Sequence, residues 1–241
     1  MVVQEELLLF ILVNFSIALI VTISLNLEVG FLGLPQFGRV LAVIIGALIA
    51  GGVSGRIVAL MLGLPYGVDY TSSEVNFKVV SEINRTLSEN PLLSILALVI
   101  TIVLAGIAGG VIGYITAYPA IRLKAAYLGI TLLAFGDIAQ VIAYNYEPLA
   151  GGTRGVFVID PFSFVGPERR FLVATLIIAA IALLSYAFVE YLTRSPYGRL
   201  LRAARDAETA AETYGVDIVK LRAQVLIIGG ALASIAGSLY T

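Results

Sequence analysis

Asp137 is the only acid deep within an uncharged stretch, residues 125–145. A carboxylate at bilayer depth is costly enough to need a partner, a water-filled cavity or a raised pKa. It could line a substrate path or carry a proton or sodium ion. It could equally make a helix–helix hydrogen bond to groups such as Thr131 or Tyr144, or sit at an interface. No second acid lies at similar depth, so an intramembrane enzyme built on Asp137 lacks its partner. Histidine and cysteine are both absent, which removes the commonest general base, thiolate metal sites and disulfides. No G-x-x-x-x-G-K-[ST] stretch occurs, so nucleotide hydrolysis is not expected of this chain. No catalytic residue, metal site or cofactor is expected. A second cluster is denser: residues 194–222 hold ten charged side chains, against 15 basic and 16 acidic in the whole chain. Arg205, Asp206, Glu208 and Glu212 alternate there with Ala210, Ala211 and Gly215, a pattern that suits either docking into a cleft of another protein or a solvated hairpin. Gly151, Gly152 and Gly155 form a third group, whose turning backbone could offer N–H groups to a ligand or a docked protein, or simply close a tight loop.

The elements that must position these groups are membrane spans. Only 13% of the 241 residues are charged and 59% are hydrophobic, where soluble domains carry about 25% charged residues; the mean hydropathy is +0.99. The expected fold is an all-α, polytopic transmembrane bundle of about six spans, near residues 7–27, 40–64, 92–117, 125–145, 171–192 and 223–241. A net charge of −1 gives no basic field for nucleic acid. Glu5 and Glu6 precede the first run without a lysine or arginine, so that run reads as a permanent span and not a signal peptide. Residues 28–39, broken by Gly30, Gly33, Pro35 and Gly38, suit a turn or re-entrant piece. Residues 66–91 are polar and read as a loop with one short amphipathic helix. Arg56, inside the second run, should lie near an interface, face a polar cavity or pair with an acid.

Placing residues 193–222 in the cytoplasm fixes every other loop by alternation. Arg39, Arg122 and Lys124 then fall inside; the acidic N-terminus and the loop with Asp69, Glu74, Glu82 and Glu89 fall outside. The loop 146–170 also falls outside, despite Arg154, Arg169 and Arg170. Within the hairpin, Ser195-Pro196 is a helix start and Gly215 a stop. Between them the spacing predicts one amphipathic helix, with Leu200, Leu201, Ala204, Ala207, Ala211 and Tyr214 on its apolar side.

The sequence SPYGRLLRAARDAETAAETYGVD, residues 195–217, resembles the cytoplasmic EAA loop of permease subunits in ABC importers, in the form seen in branched-chain amino acid permeases. AAYLGITLLAFGDIAQVI (125–142) and LAGGTRGV (149–156) are similar to a span and external loop of the same family. The resemblance implies that Glu208, Ala210, Ala211 and Gly215, with Arg205, Asp206 and Glu212 beside them, couple to an ATPase; here glutamate stands at positions 208 and 212 and not directly before the alanine pair. It also implies a multi-pass protein of the cytoplasmic membrane, one transmembrane permease domain over residues 1–241, and two ABC ATPase subunits, a second permease and an extracytoplasmic substrate-binding protein as partners. Asp137, Gly151 and Gly152 are the expected substrate path. The family continues with further spans, so this chain is expected to be a truncated or split product. Competing readings are a secondary transporter using Asp137 as its coupling carboxylate and an ABC permease for urea or short amides.

Overall fold

The computed structural model describes residues 2–64, 70–72, 75–123 and 125–241, without the side chains of residues 2, 3, 121, 122, 125 and 126. The acids Asp69 and Glu74 of the loop 66–91, the Arg122 side chain and Lys124 therefore lie outside the described residues. Every regular element among the described residues is helical. Helix α1 (Val2–Leu25) runs on through a π turn, Asn26–Phe31. Helix α2 (Arg39–Leu48), a second π turn (Ile49–Ser54) and α3 (Gly55–Met61) form one continuous rod. Next come the amphipathic α4 (Asn76–Glu89), α5 (Pro91–Arg122), α6 (Ala125–Asn145), the short α7 (Glu147–Ala150) and α8 (Pro167–Arg194). Helices α9 (Pro196–Asp206), α10 (Glu208–Thr213) and α11 (Ile218–Tyr240) complete the chain. Proline opens α5, α8 and α9, at a position where its missing N–H has no partner to lose. Six helical segments are long and apolar enough to cross a membrane, as the hydropathy pattern predicts, and large apolar side chains such as Leu183 and Leu184 remain exposed along them.

The stretch 28–39 differs from expectation. Glu28 to Phe31 remain helical, and only residues 32–38 leave the helix. The widened π turn lets the adjacent Leu27 and Glu28 both bury, which a regular turn, separating neighbours by about 100°, does less readily. The third span is also longer than expected, carrying Pro119 within its last turn.

Helix α11 is the central element, packed against α5, α2 and α1, while α8 lies on α1 and α6 on α2. Small residues set the approach: a Cβ on Gly109 or Gly113 of α5 would fall on the α11 backbone at Gly230 or Leu226. Contact at backbone distance supplies dispersion where lipid offers no hydrophobic drive.

The loops separate into two ends. At one, Asn76 of α4 accepts from the Phe157 amide at 2.6 Å and donates to the Tyr70 carbonyl at 2.9 Å, while the Asp160 amide donates to Asn84 at 2.8 Å. Glu5 and Glu6 share a cleft there with Pro167 and Glu168. Arg170 is paired with Asp160 at 3.0 Å, which neutralises one of the three arginines that ran against the charge rule. Burial pushes the Tyr70 phenol up to about 12. The hairpin segment 193–222 occupies the opposite end, against Gly30, Phe31 and Ala120. The grouping of loops derived by alternation is the one the fold adopts.

Candidate functional site

The hairpin begins as its sequence requires. The Ser195 hydroxyl accepts from the Tyr197 amide at 3.2 Å, and Gly215 ends α10 at φ +84°. Its amide donates to Glu212 O at 2.9 Å while the Val216 amide reaches Ala211 O at 3.1 Å, the paired bonds of a Schellman stop. The expected single helix is broken, however, at Ala207 (φ −152°). Just beyond the break, Arg222 Nη2, in the first turns of α11, holds both Glu208 carboxylate oxygens at 2.8 and 2.9 Å. Helix α10 starts at Glu208, with the acid in its first turn where the helix dipole favours it. The expected apolar side divides accordingly. Leu201, Ala204 and Ala211 are buried, whereas Leu200, Ala207 and Tyr214 are exposed, Tyr214 at 89%. Ala210 and Glu212 face outward too.

Three contacts tie the hairpin to spans remote in sequence. Arg205 Nη1 donates to Gly30 O at 2.6 Å, satisfying a carbonyl that the end of the first span leaves without a helical partner. Its Nε meets Asp206 at 2.9 Å, and Arg202 lies over the Phe31 ring at 5.9 Å, a cation–π contact. Arg222 also reaches Ala120 O at 3.4 Å, near the end of α5. Tyr197 is half-buried, its buried hydroxyl has no hydrogen-bond partner among the described residues, and desolvation pushes its phenol up to about 12. The sequence-predicted coupling residues thus sit on one structural unit, but Glu208 is engaged within the chain and Glu212 is presented.

Directly beyond Gly30 is a pair that sequence reasoning missed. Glu28, fully buried, is salt-bridged to Arg39, also buried. Gln36 donates to the Glu28 carboxylate at 3.0 Å and accepts from the Gly38 amide at 2.9 Å. The carboxylate rests against Gly229 of α11, where a Cβ would displace it. The available signal is an acid and a base flanking a Gly/Pro-rich turn inside apolar sequence. Arg56, expected to snorkel or find an acid, donates instead to Thr71 Oγ1 at 2.9 Å and to Pro148 O, tying the loops after the second and fourth spans together.

Asp137 lies mid-span on an exposed face of α6, with no hydrogen bond or ion pair among the described residues. Thr131 bonds within its own helix, to Tyr127 O, so the alternative of a bond between these two side chains is not realised. Gln140 and Tyr144, three and seven residues on, share the exposed face. Gly151 (φ +74°) and Gly152 (φ +59°) turn the chain back just beyond the end of α6. Asp137 is therefore not in direct contact with the two glycines, but the same helix leads from one to the others. Among the described residues, no group of acidic side chains could hold a metal.

Six apolar helices crossing in one bundle, with a polar hairpin fastened to one end, define a polytopic all-α membrane protein. The chain belongs to the family of branched-chain amino acid transport system permease components, whose family model matches residues 7–241, including the first third, where motifs were sparse. It is 39% identical to the probable branched-chain amino acid transport permease protein LivM of Methanocaldococcus jannaschii over 98% of this chain and 67% of that protein. Identity is 28% to the high-affinity branched-chain amino acid transport system permease protein LivM of Escherichia coli, over 53% of this chain and 36% of that one. It is 30% to the probable permease LivH of M. jannaschii, over 53% and 42%. The matches thus span between about a third and two thirds of these relatives' lengths. No solved structure matches the chain significantly.

Proposed function

We propose that this chain is a membrane-spanning subunit of an ABC importer for branched-chain or related amino acids, driven by two separate ATPase subunits and working with a second permease and an extracytoplasmic binding protein. The observation that carries the proposal is the hairpin. It is anchored through Arg205, Arg202 and Arg222 to the first and third spans, continues into α8 and α11, and exposes Tyr214 and Glu212. A partner gripping α9 and α10 would move several packed spans as a body, the kind of shift that helix interfaces support. In this reading residues 193–222 face the cytoplasm, the N-terminus faces outward, and hydrolysis belongs to the partners. The exposed Asp137 supports a path wall on α6: a carboxylate facing lipid at mid-depth costs about 2.5–3.5 kcal/mol, whereas one facing a hydrated passage beside the second permease does not. Gly151 and Gly152 belong to the outer mouth of that passage.

The test is uptake by proteoliposomes holding the assembled complex and its binding protein. Leucine accumulation that requires internal ATP is expected, and it should ignore an imposed proton or sodium gradient. Accumulation driven by such a gradient without ATP would favour the carrier reading through Asp137, and transport of urea or short amides in place of leucine would move the substrate assignment.

A further inference from the structure

Helix α6 carries Asp137 but packs chiefly on α2, with lesser contacts to α5 and α7. The hairpin helices pack instead on α8, α11 and the end of the first span. The non-helical segment 32–38 touches both sides. On the hairpin side, Gly33 turns left-handed at φ +74°, and a Cβ there would stand 2.8 Å from Arg205 Cγ. The same arginine donates to Gly30 O at 2.6 Å, so a single α9 side chain holds the chain at both Gly30 and Gly33. On the α6 side, a Cβ on Gly38 would fall on the Leu132 carbonyl, and a Cβ on Gly129 would fall on the Phe37 ring. The missing side chain at Gly129 is a notch on α6, and Phe37 is seated in it.

Between these two sets of contacts the segment is stiff. Leu32 and Leu34 are buried, and the Leu34 amide donates to Glu28 O at 3.0 Å. Pro35 fixes its own φ, and Gln36 bridges the Glu28 carboxylate and the Gly38 amide. A segment bonded and packed in this way passes a displacement on, because close-packed contacts have little compressibility. We infer that residues 32–38 form a strap through which the hairpin moves α6, with Phe37 the positioning residue that engages that helix; this rests on the importer reading. Motion delivered at Gly129 acts on the span that carries Asp137, two turns and about 12 Å further along. The hairpin's other distant link, from Arg222 to Ala120 O at 3.4 Å, ends on α5, which offers α6 little packing surface. Phe37 is otherwise 64% exposed, so its ring can be removed without opening the core.

The test compares ATP hydrolysis with leucine uptake by the assembled complex in proteoliposomes, supplied with its binding protein. Phe37→Ala should assemble with the ATPase subunits and hydrolyse ATP as wild type does, yet take up roughly tenfold less leucine per ATP. Gly129→Leu, which drives the ring out of its notch, should give the same loss. The two replacements combined should recover most of it, because the new leucine occupies the space the ring vacates. Uptake per ATP unchanged in both single variants, hydrolysis and uptake falling in parallel, or a double variant no better than the singles would overturn the assignment. If wild-type uptake is ATP-driven and the single variants match it, the strap fails and the importer stands. If wild type accumulates no leucine with ATP, the importer reading fails and the strap falls with it.

Discussion

Replacing Arg39 with alanine is expected to destabilise the bundle by about 3–5 kcal/mol, because it strands the fully buried Glu28 carboxylate with no other cation among the described residues. Glu28 is completely buried, its charged partner is Arg39, and among the described residues Gln36 alone offers a further side-chain donor. The carboxylate cannot swing away, since α11 closes on it at Gly229. The loss should appear in thermal unfolding of detergent-solubilised protein, and the double replacement Glu28→Leu with Arg39→Met should recover most of it, because a buried ion pair exchanged for apolar groups of similar volume is often close to neutral. An Arg39→Ala protein that unfolds at the wild-type temperature would mean that the pair is hydrated. The double variant separates two roles: restored stability without restored ATP-driven uptake would assign the pair to transmission from the hairpin, which holds the next residues, Gly30 and Phe31.

Tyr214→Ala is expected to weaken association with the ATPase subunits by about 30-fold, the equivalent of some 2 kcal/mol for an aromatic anchor at an interface centre. The side chain is 89% exposed on a turn fixed by the Gly215 stop, so its removal should leave folding and membrane insertion untouched. Pull-down of the ATPase at graded concentrations measures the effect; undiminished binding would shift the grip to Glu212 and the outer face of α9. The Glu208 carboxylate, by contrast, is engaged by Arg222, and its loss should loosen the hairpin before it touches any partner.

The spans were legible in sequence because a membrane requires long uncharged helices whose backbone groups are satisfied internally, and six runs of the right length stand out whatever their packing. The helix caps of the hairpin were legible for the same reason of locality: Ser195, Pro196 and Gly215 act on their own neighbours. What sequence did not reveal depends on distant partners. The break at Ala207 is followed by a contact from Glu208 to Arg222, fourteen residues on, and no local preference of Ala207 announces it. Glu28 and Arg39 looked like loop charges because their burial is decided by α11, some 200 residues away in sequence. Asp137 stood out as an intramembrane acid, but its position on the outward face of α6 follows from which side of that helix packs on α2, which periodicity in so apolar a span does not reveal.

Because the chain contains no cysteine, a single Glu212→Cys replacement gives a clean reporter of where the hairpin lies. Treated with a membrane-impermeant maleimide, it should react in inside-out vesicles stripped of ATPase, become shielded when the ATPase subunits are added back, and stay unmodified in intact cells. Modification from the exterior of intact cells, or reactivity indifferent to the ATPase, would contradict a cytoplasmic lever moved by a separate motor.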